Sequence, residues 1–178
     1  MRQRSSSTSP AWRSTFQPPE PLSQPRWHLR PLHPDLADLD YDAWSSCRER
    51  LVEELGWDGW PTATFSRQDN RADLAQHFAE FERREAFAYS ILQNTRCIGC
   101  IYVEPWTEGA QLAHWVTAEA LTIEHEIVNA TLDWLCTWPF ERVIIPVRHG
   151  NLRGRALLEA LGSRVCAGPA NFISYERA

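Results

Sequence analysis

Two cysteines three positions apart, Cys97 and Cys100, give the most recognisable chemical spacing in the chain. A Cys-x-x-Cys pair can hold zinc or form a redox-active disulfide. The run around it is apolar and strand-like, and residues three apart on a regular strand point to opposite faces. Unless Gly99 makes a bulge, the two sulfurs diverge, and no second pair is present to complete a zinc site. We therefore expect both cysteines to pack in a core, with no metal bound.

The elements that must position reactive residues follow from the periodicity of the apolar residues. Residues 27–32 are predicted to form a short strand, and Gly56 ends a helix over residues 36–55. The remaining predicted elements are a helix around 74–81, strands at 86–92, 97–103 (ended by Pro105) and 110–116, a helix at 123–138, a strand at 143–145, a helix at 152–161 and strands at 164–167 and 171–175.

This order predicts a single α/β (α+β) domain with a strand-helix-strand crossover in its second half. The crossover makes the strands at 110–116 and 143–145 parallel. Pro146 cannot donate a hydrogen bond to a neighbouring strand. We therefore expect these two strands to diverge, which leaves a crevice at their carboxyl ends, where Val116 and Pro146 lie.

The segment from Val143 to Gly162 resembles a motif of the GNAT superfamily of acyl-CoA-dependent N-acetyltransferases. In that motif an apolar strand is followed by an asparagine, here Asn151, and then by a helix that ends in a leucine-glycine pair. The resemblance extends over most of residues 27–178. It implies a mixed, mostly antiparallel sheet flanked by helices, in which the parallel fourth and fifth strands splay apart and the pantetheine arm of acetyl-CoA lies between them.

The resemblance also implies an activity, the transfer of an acetyl or other acyl group from CoA to a small-molecule or peptide amine by direct attack. Trp115 and Val116 would offer backbone groups to the pantetheine, and Asn151 would face the cofactor near the thioester. Asparagine is also a good helix N-cap, which leaves a structural role open for Asn151. The alternative function is a non-catalytic member of this fold whose cleft binds another ligand or a protein partner.

Two departures from the family pattern affect cofactor binding and catalysis. The phosphate-binding loop of the family has spaced glycines, whereas residues 117–126 have none and contain three glutamates that would oppose phosphate charge. His125 is the group in this segment that could become cationic near the phosphates. Arg153 and Arg155 could meet them from the other side of the cleft, or form an exposed arginine cluster. Leu158 replaces a tyrosine that protonates the departing thiolate in many members.

Acyl transfer requires that the attacking amine lose a proton, which a carboxylate or an imidazole can accept. Glu104 and His114 are the candidate bases, and the hypothesis is that Glu104 acts as the base, although Glu104 could be a solvated turn carboxylate and His114 could face away from the cleft. The segment between the first two helices borders the substrate in the family. Trp44, Trp57 and Trp60 are therefore the candidate walls of the acceptor pocket, the alternative being that they anchor a core.

Composition excludes several classes of function. A net charge of −5 disfavours general nucleic-acid binding, and no apolar run is long enough to span a membrane. Five scattered cysteines without a secretory leader indicate reduced thiols and a cytoplasmic location. Residues 1–26, rich in proline, serine and arginine, are predicted to form a flexible basic arm before the domain at 27–178. A homodimer is an expectation from the resemblance alone.

Overall fold

The computed structural model describes residues 16–57, 60–106 and 109–177. Within these ranges no helix is long and apolar enough to cross a membrane. The strands are β1 His28–Pro31, β2 Phe87–Gln93, β3 Arg96–Trp106, β4 Gly109–Val116, β5 Arg142–Arg148, β6 Arg164–Cys166 and β7 Phe172–Glu176. The α-helices are α1 Ala37–Ser45, α2 Arg48–Leu55, α3 Arg67–Glu82, α4 Glu124–Leu135 and α5 Leu152–Ala160, with 3-10 turns at Pro34–Leu36 and Ala118–Ile123.

The strands form one sheet in the order β1-β2-β3-β4-β5-β7-β6. Neighbouring strands are antiparallel except β4 and β5, which are parallel. Each face of the sheet has its own core. Buried residues of α1, α2 and α3 pack with Trp115 on one face, and those of α4 and α5 pack with Leu112 and Val116 on the other. This mixed, mostly antiparallel sheet flanked by helices is the fold class predicted from the sequence.

The parallel contact between β4 and β5 is short. The two strands pair over only three positions, from Gly109 with Arg142 to Gln111 with Ile144. Beyond these positions β4 remains paired with β3, and β5 with β7, so their inner edges diverge. Pro146 lies in the diverging part of β5, where its missing N–H costs no hydrogen bond to β4. The predicted divergence of the two strands is confirmed.

The helix predicted over residues 36–55 is divided into α1 and α2. Between them the hydroxyl of Ser46 donates to the carbonyl of Ala43 at 2.7 Å. A serine hydroxyl that bonds to the preceding turn competes with the backbone ladder and favours such a break. The predicted stop after α2 is confirmed, because Gly56 has a left-handed φ of 61°. A side chain there would also lie only 2.2 Å from Arg148.

β3 differs from its prediction in two ways. It continues through Pro105 to Trp106, because beyond Val103 it no longer pairs with β2 and a proline is tolerated beside an open edge. It also contains a bulge, since Gly99 pairs with Ile91 while Cys97 pairs with the next residue of β2. With this bulge the two cysteine side chains do not diverge, and both pack in one core, as expected.

Packing against the domain begins before the predicted boundary at residue 27. Residues 1–15 of the predicted arm lie outside the described residues. Phe16 packs edge-on against Phe87, with ring centroids 5.8 Å apart. Residues 16–26 lack a sustained apolar period, so one aromatic ring that anchors them could not be recognised from composition.

Candidate functional site

A cleft opens where β4 and β5 diverge. Its walls are the end of α2, the second half of β4, β5 from Ile145 to Arg148 and the first turns of α5. Beyond Gln111 and Ile144 neither inner strand edge has a strand partner, so backbone N–H and C=O groups are directed into the cleft. An extended ligand with amide groups could bond to these edges in the manner of an added strand.

An ionic network centred on Arg153 occupies part of the cleft. Its Nε and Nη2 atoms donate to the two carboxylate oxygens of Glu54, each at 2.8 Å, and its Nη1 atom donates to Glu124. Burial alone would raise the pKa of Glu124, but the hydrogen bond with His114 and the charges of His114 and Arg153 lower it to about 2. The Glu124 carboxylate is therefore ionised at neutral pH.

The state of Glu124 determines which nitrogen of His114 is basic. His114 Nε2 lies 3.0 Å from Glu124 Oε1. Because an ionised carboxylate only accepts hydrogen bonds, Nε2 must donate, and a neutral imidazole then carries its lone pair on Nδ1. A buried carboxylate that fixes the tautomer of a histidine is the arrangement by which many enzymes prepare a general base. His114 is a wall residue of the cleft.

The end of α2 is bound to both walls of the cleft. Arg148 on β5 donates to the carbonyls of Val52 and Glu53 at 3.3 and 2.9 Å. The last carbonyls of a helix lack intrahelical partners and carry the negative end of its dipole, so a guanidinium group is favourable there. On the other wall, Arg50 donates to the carbonyl of Val116 at the end of β4. Helix α2 therefore spans the mouth of the cleft.

Three residues predicted to bind the cofactor lie at the cleft. Trp115 and Asn151 line it, and Val116 ends β4 beside it. The Trp115 side chain is buried, with its indole N–H donating to the hydroxyl of Tyr102 at 3.3 Å, so its backbone is the part available to a ligand. Asn151 caps α5 by accepting from the N–H of Gly154 at 2.8 Å. Its structural role is thus present, and its side chain also borders the cleft.

Two other predicted cofactor residues lie away from the cleft walls. Arg155 follows Arg153 by two helical positions, which rotates its side chain by about 200° around α5. Its Nε donates to the hydroxyl of Tyr175 at 3.3 Å instead. His125 is exposed on the first turn of α4, while Glu124 beside it is buried and directed inward.

The candidate base Glu104 lies one strand away from the cleft. Its Oε2 accepts from the amide of Gln111 at 2.9 Å across the β3–β4 ladder. Gln111 belongs to the last pair that joins β4 to β5, so Glu104 is level with the vertex of the splay. Glu104 is not a wall residue of the cleft, whereas the other candidate, His114, is.

The three candidate pocket tryptophans form one aromatic cluster but differ in exposure. Trp44 is 1% exposed and donates its indole N–H to Asn70 Oδ1 at 3.1 Å, so it is a core residue. Trp57 and Trp60 are half-buried, with ring centroids 5.3 Å apart, and Trp57 lines the cleft. The structure therefore favours the core alternative for Trp44 and leaves Trp57 and Trp60 accessible to a ligand.

The glycine-free segment at residues 117–126 forms a 3-10 turn and the start of α4. Each of its glutamates is paired with an arginine from elsewhere in the chain. This pairing reduces the repulsion of phosphate that the sequence alone suggests. The pairs are Glu119 with Arg96 at 3.2 Å, Glu124 with Arg153 and Glu126 with Arg26.

Sequence reasoning missed the contribution of α2. Arg50 and Glu54 form an ion pair at 2.7 Å with the i,i+4 spacing of a helix, which was a visible signal. That spacing predicts a helix-surface pair and says nothing about the direction in which the helix faces. Also missed was Asp40, which meets the two β3 cysteines only because of the bulge.

Comparison with known proteins identifies one family and many solved structures with the same fold. A family model described as "Acetyltransferase (GNAT) domain" matches residues 26–164. No curated protein matches the chain significantly in sequence.

Solved structures match most of the chain at low sequence identity. RimL, a ribosomal L7/L12 alpha-N-protein acetyltransferase in complex with coenzyme A, has a TM-score of 0.75 and 15% identity, over 89% of this chain and 97% of that one. The ribosomal-protein-S5-alanine acetyltransferase of Vibrio fischeri has a TM-score of 0.73 and 16% identity, over 88% of this chain and 95% of that one. Mycobacterium smegmatis RimJ, in complex with CoA-disulfide, has a TM-score of 0.71 and 17% identity, over 84% of this chain and 79% of that one. At such identities the likeness shows the fold.

Proposed function

Because the chain belongs to the GNAT acetyltransferase family, we propose that it is an enzyme that transfers an acetyl group from acetyl-CoA to an amine. The observation that carries the proposal is the cleft between the diverging strands β4 and β5, whose inner backbone edges have no strand partner. The pantetheine arm of CoA contains amide groups that suit such edges. Its phosphates suit guanidinium groups, of which Arg148 and Arg153 line the cleft.

Acetyl-CoA, when bound, supplies the activated acetyl group as a thioester. We assign the general base to His114, whose Nδ1 would accept the proton of the amine directly or through water. Ionised Glu124 would stabilise the imidazolium that results. The new carbon–nitrogen bond forms as the carbon–sulfur bond breaks, and the imidazolium or water returns the proton to the thiolate, since Leu158 has no proton to donate. Glu104 is the alternative base.

Binding of CoA requires a change of partners in the cleft. Arg153 is held by Glu54 and Glu124, and a phosphate would compete with Glu54 for the same guanidinium group. Glu54 is the exchangeable partner because it belongs to α2 at the mouth, whereas Glu124 is buried beside His114. Exchange of one carboxylate for one phosphate keeps Arg153 neutralised.

The acceptor side of the proposed site is aromatic. Trp57 and Trp60 form a half-buried wall that suits a cationic or flat amine before it loses its proton. RimL is named a ribosomal L7/L12 alpha-N-protein acetyltransferase, and the Vibrio fischeri enzyme is named a ribosomal-protein-S5-alanine acetyltransferase. We therefore propose a peptide α-amine as the first acceptor class to test, with small-molecule amines as the second.

A second function, ligand binding without catalysis, is favoured by the pairing within the cleft. Arg153 already has two carboxylate partners, and the segment at residues 117–126 has no glycine at which a backbone could approach phosphate. In this function the same cleft binds another ligand or a protein partner.

Calorimetric titration with acetyl-CoA, followed by mass spectrometry of acceptor peptides, distinguishes these functions. We expect saturable binding, and the added mass of one acetyl group on peptides with a free N-terminal alanine or serine. Absence of binding at millimolar acetyl-CoA would contradict the enzyme proposal. Binding without acetylation of any peptide or small amine would favour the second function. A His114→Asn variant, which should bind acetyl-CoA normally but turn over about a hundredfold more slowly, is the matched control.

A further inference from the structure

A cluster of reactive side chains lies in the core beneath α1, outside the cleft. The bulge in β3 brings Cys97 and Cys100 together, and Asp40 of α1 packs against them. One possible ligand atom from each residue lies within 4.8 Å of the other two, and Cys100 Sγ is 3.2 Å from Asp40 Oδ1. All three residues are buried, with exposures of 4% for Asp40, 6% for Cys97 and 0% for Cys100.

We propose that Asp40, Cys97 and Cys100 bind a thiophilic divalent cation of the zinc class. Bonds of about 2.3 Å to sulfur and about 2.0 Å to oxygen place the ligand atoms of a tetrahedral zinc roughly 3.5–4 Å apart. The observed spacing reaches this geometry with side-chain shifts below roughly 1 Å. Two thiolates and one carboxylate oxygen supply three of the four donor atoms of a tetrahedral zinc, and a water molecule would supply the fourth.

A buried amide orients the carboxylate of this cluster. Asn70 Nδ2 donates to Asp40 Oδ2 at 3.0 Å and to the carbonyl of Ala37 at 2.9 Å. Asn70 Oδ1 accepts from the indole N–H of Trp44 at 3.1 Å. Asn70 is 1% exposed, and these three bonds fix its position. Hydrogen-bonded residues of this kind commonly orient the ligands of metal sites.

The charge balance of the cluster is compatible with a cation. No arginine is paired with Asp40 within the described residues, and its carboxylate accepts hydrogen bonds from Asn70 and Cys100. Binding of M²⁺ forms two metal–sulfur bonds and releases the two thiol protons to solvent. With ionised Asp40, the net charge of the cluster is −1 before and after binding, so the cation enters without adding buried charge.

The proposed cation would join two elements that are far apart in the chain. Asp40 belongs to α1, while both cysteines belong to the third strand of the sheet. The bond between them would fix the helix that carries Trp44, which packs against Trp60 with ring centroids 5.8 Å apart. The site is therefore structural, and it lies beneath the aromatic wall rather than in the cleft.

Co²⁺ is the spectroscopic probe for this site, added to the full chain after purification under reducing, metal-free conditions. We expect a thiolate-to-cobalt charge-transfer band that saturates at one equivalent. About two protons should be released per cation, one from each thiol that becomes a thiolate ligand. Cys97→Ser and Cys100→Ser should each abolish the band. Cys136→Ser is the matched control, because Cys136 is exposed, and it should leave the band unchanged.

Three outcomes overturn the proposal. One is the absence of a cobalt band in the wild-type chain, a result that does not depend on whether any variant folds. The second is a band that survives both Cys97→Ser and Cys100→Ser but is lost in Cys136→Ser. The third concerns chain purified without reductant. If a disulfide between Cys97 and Cys100 forms there, and forms to the same extent when Zn²⁺ is present throughout the purification, the proposal is wrong. None of these outcomes alters the test of acetyl-CoA binding, because the cluster is outside the cleft.

Discussion

Two buried carboxylates, on opposite faces of the sheet, differ in their partners. Glu124 contacts Arg153 and His114, and its pKa falls to about 2, whereas Asp40 is hydrogen-bonded by the amide of Asn70 and the thiol of Cys100, and its pKa rises to about 6. Burial opposes ionisation at both positions, so the cationic partners decide the difference. The cleft is therefore built from compensated charge, while the core beneath α1 depends on hydrogen bonds from neutral groups.

The largest effect on stability is expected when the buried hydrogen bonds of Asn70 are removed. Asn70→Ala should lower the free energy of unfolding by about 3 kcal/mol, because the indole of Trp44, the carbonyl of Ala37 and the carboxylate of Asp40 each lose a buried partner. Denaturant unfolding measures this change. Asn129→Ala is the control, since its exposed amide bond to Asp133 should contribute less than about 0.5 kcal/mol.

A loss of stability of similar size, but dependent on pH, is expected when Glu124, the carboxylate paired with Arg153 and His114, is replaced. The pKa of Glu124 is about 2 in the folded chain and about 4.3 when unfolded, so its ionisation stabilises the fold above about pH 4.3. That stability is lost as the pH falls towards 2. Glu124→Gln should therefore cost about 3 kcal/mol at neutral pH, with the difference from wild type shrinking below about pH 4.

The control for this pH profile is the exposed pair of Glu119 with Arg96. Glu119→Gln should change the stability at neutral pH by less than about 1 kcal/mol. If Glu124→Gln lowered the free energy of unfolding by an equally small amount at every pH, the charges of Arg153 and His114 would contribute little to the stability of the fold.

The third prediction concerns the base. His114→Asn should lower kcat by about a hundredfold and remove the fall in kcat at low pH, because a general base contributes about 10²–10⁴ and acts only when it is unprotonated. Steady-state kinetics with saturating acceptor measure both effects. If Glu104→Gln produces this loss while His114→Asn does not, the base is the residue beside the splay vertex and not the histidine on the cleft wall.

The fourth prediction tests whether charge in the cleft is exchangeable. Glu54→Gln removes the competitor for Arg153 and should tighten acetyl-CoA binding by about fivefold, since a partly exposed ion pair is worth about 1 kcal/mol. Calorimetric titration measures the Kd. Glu53→Gln, which alters the neighbouring carboxylate on α2, is the control and should leave the Kd unchanged. Weaker binding in Glu54→Gln would show that Glu54 supports the site and does not compete for it.

The smallest effect is expected at Arg155. Because Arg155 is rotated away from the cleft and bonded to Tyr175, Arg155→Ala should change the Kd for acetyl-CoA by less than about twofold. Arg153→Ala, two positions earlier, should weaken binding by about tenfold through the loss of a guanidinium–phosphate contact. Equal losses in the two variants would indicate a general electrostatic effect of the arginine cluster.

Most of the fold was predictable because its signals are local. Apolar periodicity located the strands and helices, and Pro146 predicted where β5 separates from β4. The break between α1 and α2 escaped prediction, since apolar residues continue at helical spacing through it while a serine hydroxyl competes with the backbone. The homodimer and the cytoplasmic location remain predictions.

The candidate site was predictable only where a residue faces the cleft through regular geometry. His114 and Arg153 lie on elements whose direction the sequence determines. Glu54 and Asp40 could not be identified in this way. Their roles depend on a helix break and on a one-residue bulge, and both bring together residues from distant parts of the chain.

The three-position contact between β4 and β5 divides the sheet into two half-sheets, β1 to β4 and β5 to β7, that share one short seam. A ligand that bonds to both inner edges would act as a missing strand and close this seam. The two half-sheets would then be joined more strongly while the cleft is occupied. Release of the ligand would return the molecule to its more loosely joined form.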